Sequence, residues 1–177
     1  ERYFRAMSAA ANFAWANRQA LTHGARKGWE NIFGPDSSLS VLYDVAHNIA
    51  KIETHSIAGE KKQVLMERKG ATRAFGPDNQ EVPSEFRKTG QPVISPGSMG
   101  TNSYVMGGSA KGEEGTVGSV CHGAGQAMSR KKAARSTNIQ KAEQQLQAQG
   151  VQVRSSSKKG LLEEMPAAYK DIHNVVD

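Results

Sequence analysis

The residues Ser119-Val-Cys-His-Gly-Ala-Gly-Gln-Ala-Met-Ser-Arg-Lys-Lys-Ala133 carry the densest set of groups able to do chemistry. His122 offers an imidazole, which near neutral pH is both unprotonated and nucleophilic. Gly123, Ala124 and Gly125 follow it, and glycines let backbone N–H groups approach an anion closely. A helix-prone run with Arg130, Lys131, Lys132 and Arg135 comes next, and a helix N-terminus adds partial positive charge. This pattern suits attack on a phosphorus atom held by backbone amides. A plain turn with a capping histidine would leave the same letters, since short glycine motifs recur by accident.

Other groups could join that site. His47 follows an alternating, β-rich run in Asp44-Val-Ala-His-Asn48, and a strand-end imidazole is a common metal ligand. Pro96-Gly-Ser-Met-Gly100 is a tight turn rich in N–H and hydroxyl donors, with Ser103 just beyond it. Arg68, Lys69 and Arg73 flank Gly70-Ala71-Thr72, and Tyr169 could stack on a base. His23, His55 and His173 read as structural. Glu113-Glu114 and Glu163-Glu164 read as solvated faces, and Trp15 and Trp29 as core. The chain has no Cys-x-x-Cys and no His-x-x-x-His, so spacing alone builds no metal cluster.

The elements that must position these groups are legible in part. Arg2 to Leu21 has helical periodicity, Gly24 is a plausible stop, and Ala25 to Phe33 reads as a second helix. Leu39 to Val45 alternates as a strand. Ile49 to Ile57 and Gln63 to Arg68 read as a hairpin around Ala58-Gly59. Lys69 to Gly90 reads as a long functional loop. Gln91 to Ile94, Ser103 to Met106 and Thr116 to Val120 read as short strands. Asn138 to Gln149 is a polar helix ended by Gly150, Val151 to Arg154 a strand, and Leu161 to Met165 and Ala167 to Val176 short helices. The expected fold class is α+β, with antiparallel strands lining a polar cleft and helices packed outside.

The 177 residues suffice for one domain, and 6% aromatic content implies a modest core of Val, Ile, Leu, Ala and Met. The formal charge of +6 favours a polyanionic partner such as nucleic acid or nucleotide. Cys121 is the single cysteine, so no internal disulfide forms, and a reducing compartment, the cytoplasm, is expected. No apolar run approaches a membrane span. The chain opens inside a helical pattern without an initiator Met, so a piece of a longer protein is expected.

Taken together, the strings resemble the RtcB-type RNA ligases of tRNA splicing and RNA repair. The matching stretches include Ala9-Ala-Ala-Asn-Phe-Ala-Trp-Ala-Asn-Arg-Gln19, Asp44-Val-Ala-His-Asn48, Arg68-Lys-Gly-Ala-Thr-Arg-Ala-Phe75, Pro96-Gly-Ser-Met-Gly-Thr101, Cys121-His-Gly-Ala-Gly125, Met128-Ser-Arg130 and Glu164-Met-Pro-Ala-Ala-Tyr-Lys170, in family order. The resemblance implies a GTP- and Mn²⁺-dependent ligase. It would join RNA 3′-phosphate or 2′,3′-cyclic phosphate ends, from tRNA halves or broken RNA, to 5′-hydroxyls through a guanylylated histidine.

By motif, His122 would be the nucleophile and His47 a manganese ligand. His47, Asn48, Pro96, Gly97, Ser98, Met99, Ser103, Gly123, Ala124, Gly125 and Tyr169 would line GTP or GMP. Lys69, Arg73 and Arg130 would meet phosphates or RNA. An activating protein is a further expected partner. The resemblance places residues 1–177 in the C-terminal catalytic half of one domain. The Asp-x-x-Cys pair and two further histidines of the metal site, and a C-terminal lysine, would then lie outside the chain, leaving it inactive alone. Gln126 stands where many relatives carry Arg, and Glu67 where His is usual. The alternative reading is a non-catalytic nucleic-acid-binding module on the same basic surface.

Overall fold

The structure, a computed structural model, describes residues 1–136, 138–155 and 157–177, with only the backbone of Lys159. Helix α1 runs unbroken over Arg2–Phe33. Gly24 and Gly28 stay inside it, because a mid-helix glycine costs only about 1 kcal/mol against a long, alanine-rich run. The expected break at Gly24 is therefore absent. The stop falls at Gly34, whose N–H closes on the Glu30 carbonyl at 2.9 Å before Pro35. No residue of α1 is buried. Trp15 is half-buried, with Arg18 and Lys51 each 5.8 Å from its ring. Trp29 remains 37% exposed, so the core role expected for it is not observed.

Leu39 to Val45 alternates as expected but has no partner strand, and it runs as irregular chain. Alternation describes a surface, and a ladder must satisfy its backbone. The hairpin does form. Strands β1 (Asn48–Ile57) and β2 (Glu60–Lys69) pair from Ile57↔Glu60 to Asn48↔Lys69. Their two-residue turn has positive φ at both Ala58 (53°) and Gly59 (83°), the twist that suits antiparallel strands.

The long loop after Lys69 is broken by β3 (Ala71–Arg73), which pairs antiparallel with β6 (Ser119–Cys121). Strands β4 (Pro92–Ser95) and β5 (Tyr104–Gly107) make a third antiparallel pair. Helix α2 (Ala110–Thr116) was not expected, since Gly112 and Gly115 lie within it. Ser109 caps it by accepting the Gly112 N–H, and Val117 ends it at φ 47°.

Helix α3 (Arg130–Ser136) begins five residues after Gly125, not directly behind the glycines. The intervening chain is committed elsewhere: Gln126 bridges to Tyr169, and the Ala127 N–H goes to the Ala168 carbonyl at 2.8 Å. Helix α4 (Ile139–Ala148) is capped by Asn138, as its sequence indicates. Helices α5 (Lys158–Glu163) and α6 (His173–Val176) complete the chain. Residues 151–154 form no ladder, yet Val151 and Val153 pack on Leu146, Leu161 and Met165. The architecture is α+β, with small two-stranded antiparallel sheets. No helix among the described residues is long and apolar enough to cross a membrane.

Candidate active site

Gly70 is the hub. Carried one step past Asn48↔Lys69, the β1–β2 register sets His47 opposite Gly70, and the Gly70 N–H donates to the His47 carbonyl at 3.0 Å. Carried one step past Ala71↔Cys121, the β3–β6 register sets His122 opposite the same glycine. The ends of two antiparallel ladders thus bring two imidazoles to one residue. Their rings lie parallel, 6° apart in plane, with centroids 4.9 Å apart. Gly70 has φ 69°, a left-handed backbone that L side chains rarely adopt.

The Gly70 carbonyl lies 2.7 Å from His122 Nδ1. A carbonyl only accepts, so Nδ1 carries the proton and Nε2 keeps the lone pair. His47 is exposed, and its pKa is held below the ordinary 6.5. Loss of hydration on partial burial is the main cause, and repulsion from His122 whenever that ring is protonated, and from Arg18 and Lys69, adds to it. A neutral ring is the form that can ligate a metal.

These rings open on a cavity of about 800 Å³, a size suited to a nucleotide. Its floor is the loop of residues 96–99 packed on residues 123–125: the Pro96 carbonyl accepts the Ala124 N–H at 3.0 Å. A Cβ on Gly123 would sit 3.0 Å from that same carbonyl, so the two loops meet backbone to backbone. Among the described residues the Gly123 and Gly125 amides have no acceptor. The C-terminal segment closes one side, where the Lys170 N–H reaches the Gly125 carbonyl at 3.0 Å. There the Tyr169 hydroxyl donates to Glu164, and Glu164 also pairs with Arg130 at 3.2 Å. Burial, then the Glu164 carboxylate, push the Tyr169 pKa above its usual value, against the pull of Gln126 and Arg130.

The cavity wall includes most of the residues the sequence singled out: His47, Asn48, Lys69, Pro96 to Met99, His122 to Gly125, Arg130 and Tyr169. Loops supply most of it; strands contribute little beyond the ends Asn48 and Lys69, where a strand-lined cleft was expected. Two expected residues stand off the wall. Ser103 accepts the Gly97 N–H at 3.4 Å and shapes the turn from behind. Arg73 pairs with Glu81 at 2.8 Å and lies 4.6 Å over the Phe75 ring, off the cavity wall. Glu164, expected as a solvated face, is half-buried in the wall. Glu113 likewise turns inward, accepting the Gly76 N–H at 2.6 Å. Asp44 is exposed and holds Arg18 at 2.8 Å.

Sequence reasoning missed the Gly70 carbonyl and a buried cluster behind β6. Glu53, His55 and Arg68 are nearly sealed from solvent, with side chains 1%, 7% and 2% exposed. Burial alone would raise the Glu53 pKa, but hydrogen bonds from Arg68 and His55 bring it below the usual carboxylate value. The available signal was the alternation of Glu53 and His55 on one face of β1, beside a strand with Arg68 one residue before its end.

The family described as RtcB, tRNA-splicing ligase RtcB, matches residues 1–177. The chain belongs to the RtcB family. The tRNA-splicing ligase RtcB of Methanococcus maripaludis is 51% identical over 180 residues, covering 100% of this chain and 38% of that protein. The same-named proteins of Thermococcus kodakarensis and Pyrococcus abyssi are each 49% identical over 179 residues, covering 99% of this chain and 37% and 20% of their own lengths. The chain thus spans well under half the length of these relatives. The matches support RtcB membership over the whole chain, and not its assignment as a C-terminal half.

Proposed function

We propose that the protein carrying this RtcB-family chain is an RNA ligase that joins 3′-phosphate or 2′,3′-cyclic phosphate ends to 5′-hydroxyl ends with GTP, through His122. One observation carries the reading. His122 donates Nδ1–H to a fixed backbone carbonyl, which leaves Nε2 as a lone-pair nucleophile facing a nucleotide-sized cavity. The relatives' printed name, tRNA-splicing ligase, agrees with an RNA substrate. The net charge of +6 suits one as well.

His122 Nε2 attacks the α-phosphorus of GTP. A nitrogen–phosphorus bond forms and pyrophosphate departs with the electrons of the broken phosphorus–oxygen bond. The Gly70 carbonyl keeps the Nδ1 proton and steadies the positive charge that grows on the ring. The Gly123 and Gly125 amides suit the phosphate oxygens, with Lys69 and Arg130 on the rim. Tyr169 offers a ring face for guanine. Water first opens any 2′,3′-cyclic phosphate to the 3′-phosphate, an oxygen of which displaces His122 from phosphorus and returns the Nε2 lone pair. The 5′-hydroxyl finally attacks the activated 3′-phosphate, gives its proton to solvent, and releases GMP with the electrons of the broken phosphoanhydride bond.

A manganese ion would offset triphosphate charge. The chain does not by itself fit one: among the described residues no three His, Cys, Asp or Glu side chains gather as a metal site. His47 would supply a single ligand, and the others must come from elsewhere in the protein. The test is joining of 3′-phosphate and 5′-hydroxyl RNA by the full-length protein with GTP and Mn²⁺. Joining of 3′-hydroxyl and 5′-phosphate ends instead would reject the reading, as would unchanged joining after His122→Ala.

A further inference from the structure

The buried cluster behind β6 is built to hold the nucleophile's strand, not only the fold. Arg68 donates from Nη1 to Glu53 Oε1 at 2.7 Å and from Nη2 to Glu53 Oε2 at 2.9 Å. Its remaining reach goes across to the segment that leads into His122: Nε donates to Ser119 Oγ in β6 at 3.0 Å, and Nη2 to the carbonyl of Val117, at the end of α2, at 3.2 Å. On the far side, His55 Nε2 lies 2.8 Å from Glu53 Oε2, which fixes the carboxylate's rotation. The planar fork of arginine makes such an array rigid, because each bond restricts the same plane.

The position of this clamp in the chain matters. Arg68 lies two residues before Gly70, and Ser119 three residues before His122. The clamp therefore spans the same two chain segments that meet again in the Nδ1 hydrogen bond to the Gly70 carbonyl. Ser119 and Arg73 are register partners at one end of the three-residue β3–β6 ladder, and His122 lies just past the other end. So short a ladder has few bonds to set its own register. A side-chain tie at its far end limits how β6 can slide or tilt.

We propose that Arg68, held by Glu53 and His55, is a positioning residue that sets His122 for attack through its bond to Ser119. The inference rests on the nucleophile reading above and adds to it a second, buried determinant of the rate. Loss of the tie leaves the cavity wall in place, so nucleotide binding changes little. It lets Nε2 wander from line with the α-phosphorus, and small misplacements of a reacting group cost rate steeply.

The experiment measures single-turnover formation of the protein–GMP adduct from α-labelled GTP, in the full-length protein with Mn²⁺. Ser119→Ala removes one arm of the clamp and spares the Glu53–Arg68 pair. It should slow adduct formation at saturating GTP by about ten- to a hundredfold. The half-saturating GTP concentration should change less than about twofold, since uniform binding is untouched. Ser119→Thr keeps the hydroxyl and should restore the rate. The double variant Glu53→Leu/Arg68→Met replaces the ion pair with apolar groups, a change that buried pairs often tolerate in stability. It should keep the urea midpoint yet remain slow.

A wild-type rate in Ser119→Ala overturns the positioning role. So does a double variant that is both stable and fast, or a Ser119→Ala defect that appears equally in half-saturation and urea midpoint. Should the double variant fail to fold, the Ser119→Ala and Ser119→Thr pair decides alone. A His122→Ala protein that still forms the adduct would sink the nucleophile reading itself, and so tells the two failures apart.

Discussion

Gly70 should be the most informative small residue to change, because its backbone and its space can be tested apart. Its φ of 69° lies in the left-handed region, and a Cβ built there would sit 3.5 Å from His122 Cε1, an ordinary contact. Alanine should therefore incur the conformational penalty and almost no steric one. That penalty is about 1–2 kcal/mol for an L-residue held in the left-handed region. Gly59, at the hairpin tip with φ 83° and nothing within 4 Å of its Cβ, isolates the same penalty without a neighbour. Gly70→Ala and Gly59→Ala should then lower unfolding free energy by similar amounts, measured by urea denaturation of the protein. Gly70→Asn should cost less than Gly70→Ala, since asparagine tolerates this region better. Gly97→Ala should cost more than either, because its Cβ would overlap the Asn102 carbonyl and the Thr101 hydroxyl. A neutral Gly70→Ala, or one costing as much as Gly97→Ala, would refute the geometry around His122.

Three further outcomes follow from the site and its support. His47 has a folded-state pKa below 6.5, so its neutral ring contributes stability that is present above the unfolded value and is lost as pH falls through the folded one; an NMR titration midpoint above 6.5 would contradict this. Glu53 is likewise depressed, so its pairing stabilises above the ordinary carboxylate range and fades as pH falls through its lower folded value; Glu53→Gln should flatten that acid limb in pH-dependent urea midpoints, and an unchanged limb would count against it. If guanine stacks on Tyr169, Tyr169→Ala should weaken GTP binding by about 1–3 kcal/mol and Tyr169→Phe far less, since stacking needs the ring and not the hydroxyl. Calorimetric titration would show the pair, and equal losses would point to the Glu164 hydrogen bond instead.

Much of the site was legible because its residues are sequence-local at each contribution. The Pro96 turn, the Gly123–Gly125 run and His122 could be marked from residue type alone. What could not be read was who meets whom. Arg73 and Lys69 look equivalent around Gly70, yet β3 turns Arg73 towards Glu81 and Gln91 while Lys69 stays on the wall. Glu163-Glu164 looks like a solvated pair, and only the return of residues 166–170 against Gly125 brings Glu164 inside.

The fold shows the same division. The β1–β2 hairpin was readable from two strand-like runs around Ala58-Gly59. Leu39 to Val45 alternated cleanly, but pairing is a long-range property that no local pattern reveals. Helix α1 ran through Gly24 because helix propagation is cooperative and one glycine is a small penalty. The helix expected directly behind Gly125 was displaced by tertiary bonds to Ala168 and Tyr169, which periodicity does not encode.

On the proposed reading, His122 Nε2 carries the nucleotide. The direct measurement incubates the full-length protein with GTP and Mn²⁺, digests it, and maps the GMP adduct by tandem mass spectrometry beside His122→Asn. GMP should appear on the peptide containing His122 and be missing from the variant. GMP on Lys69, or an adduct that persists in His122→Asn, would contradict it.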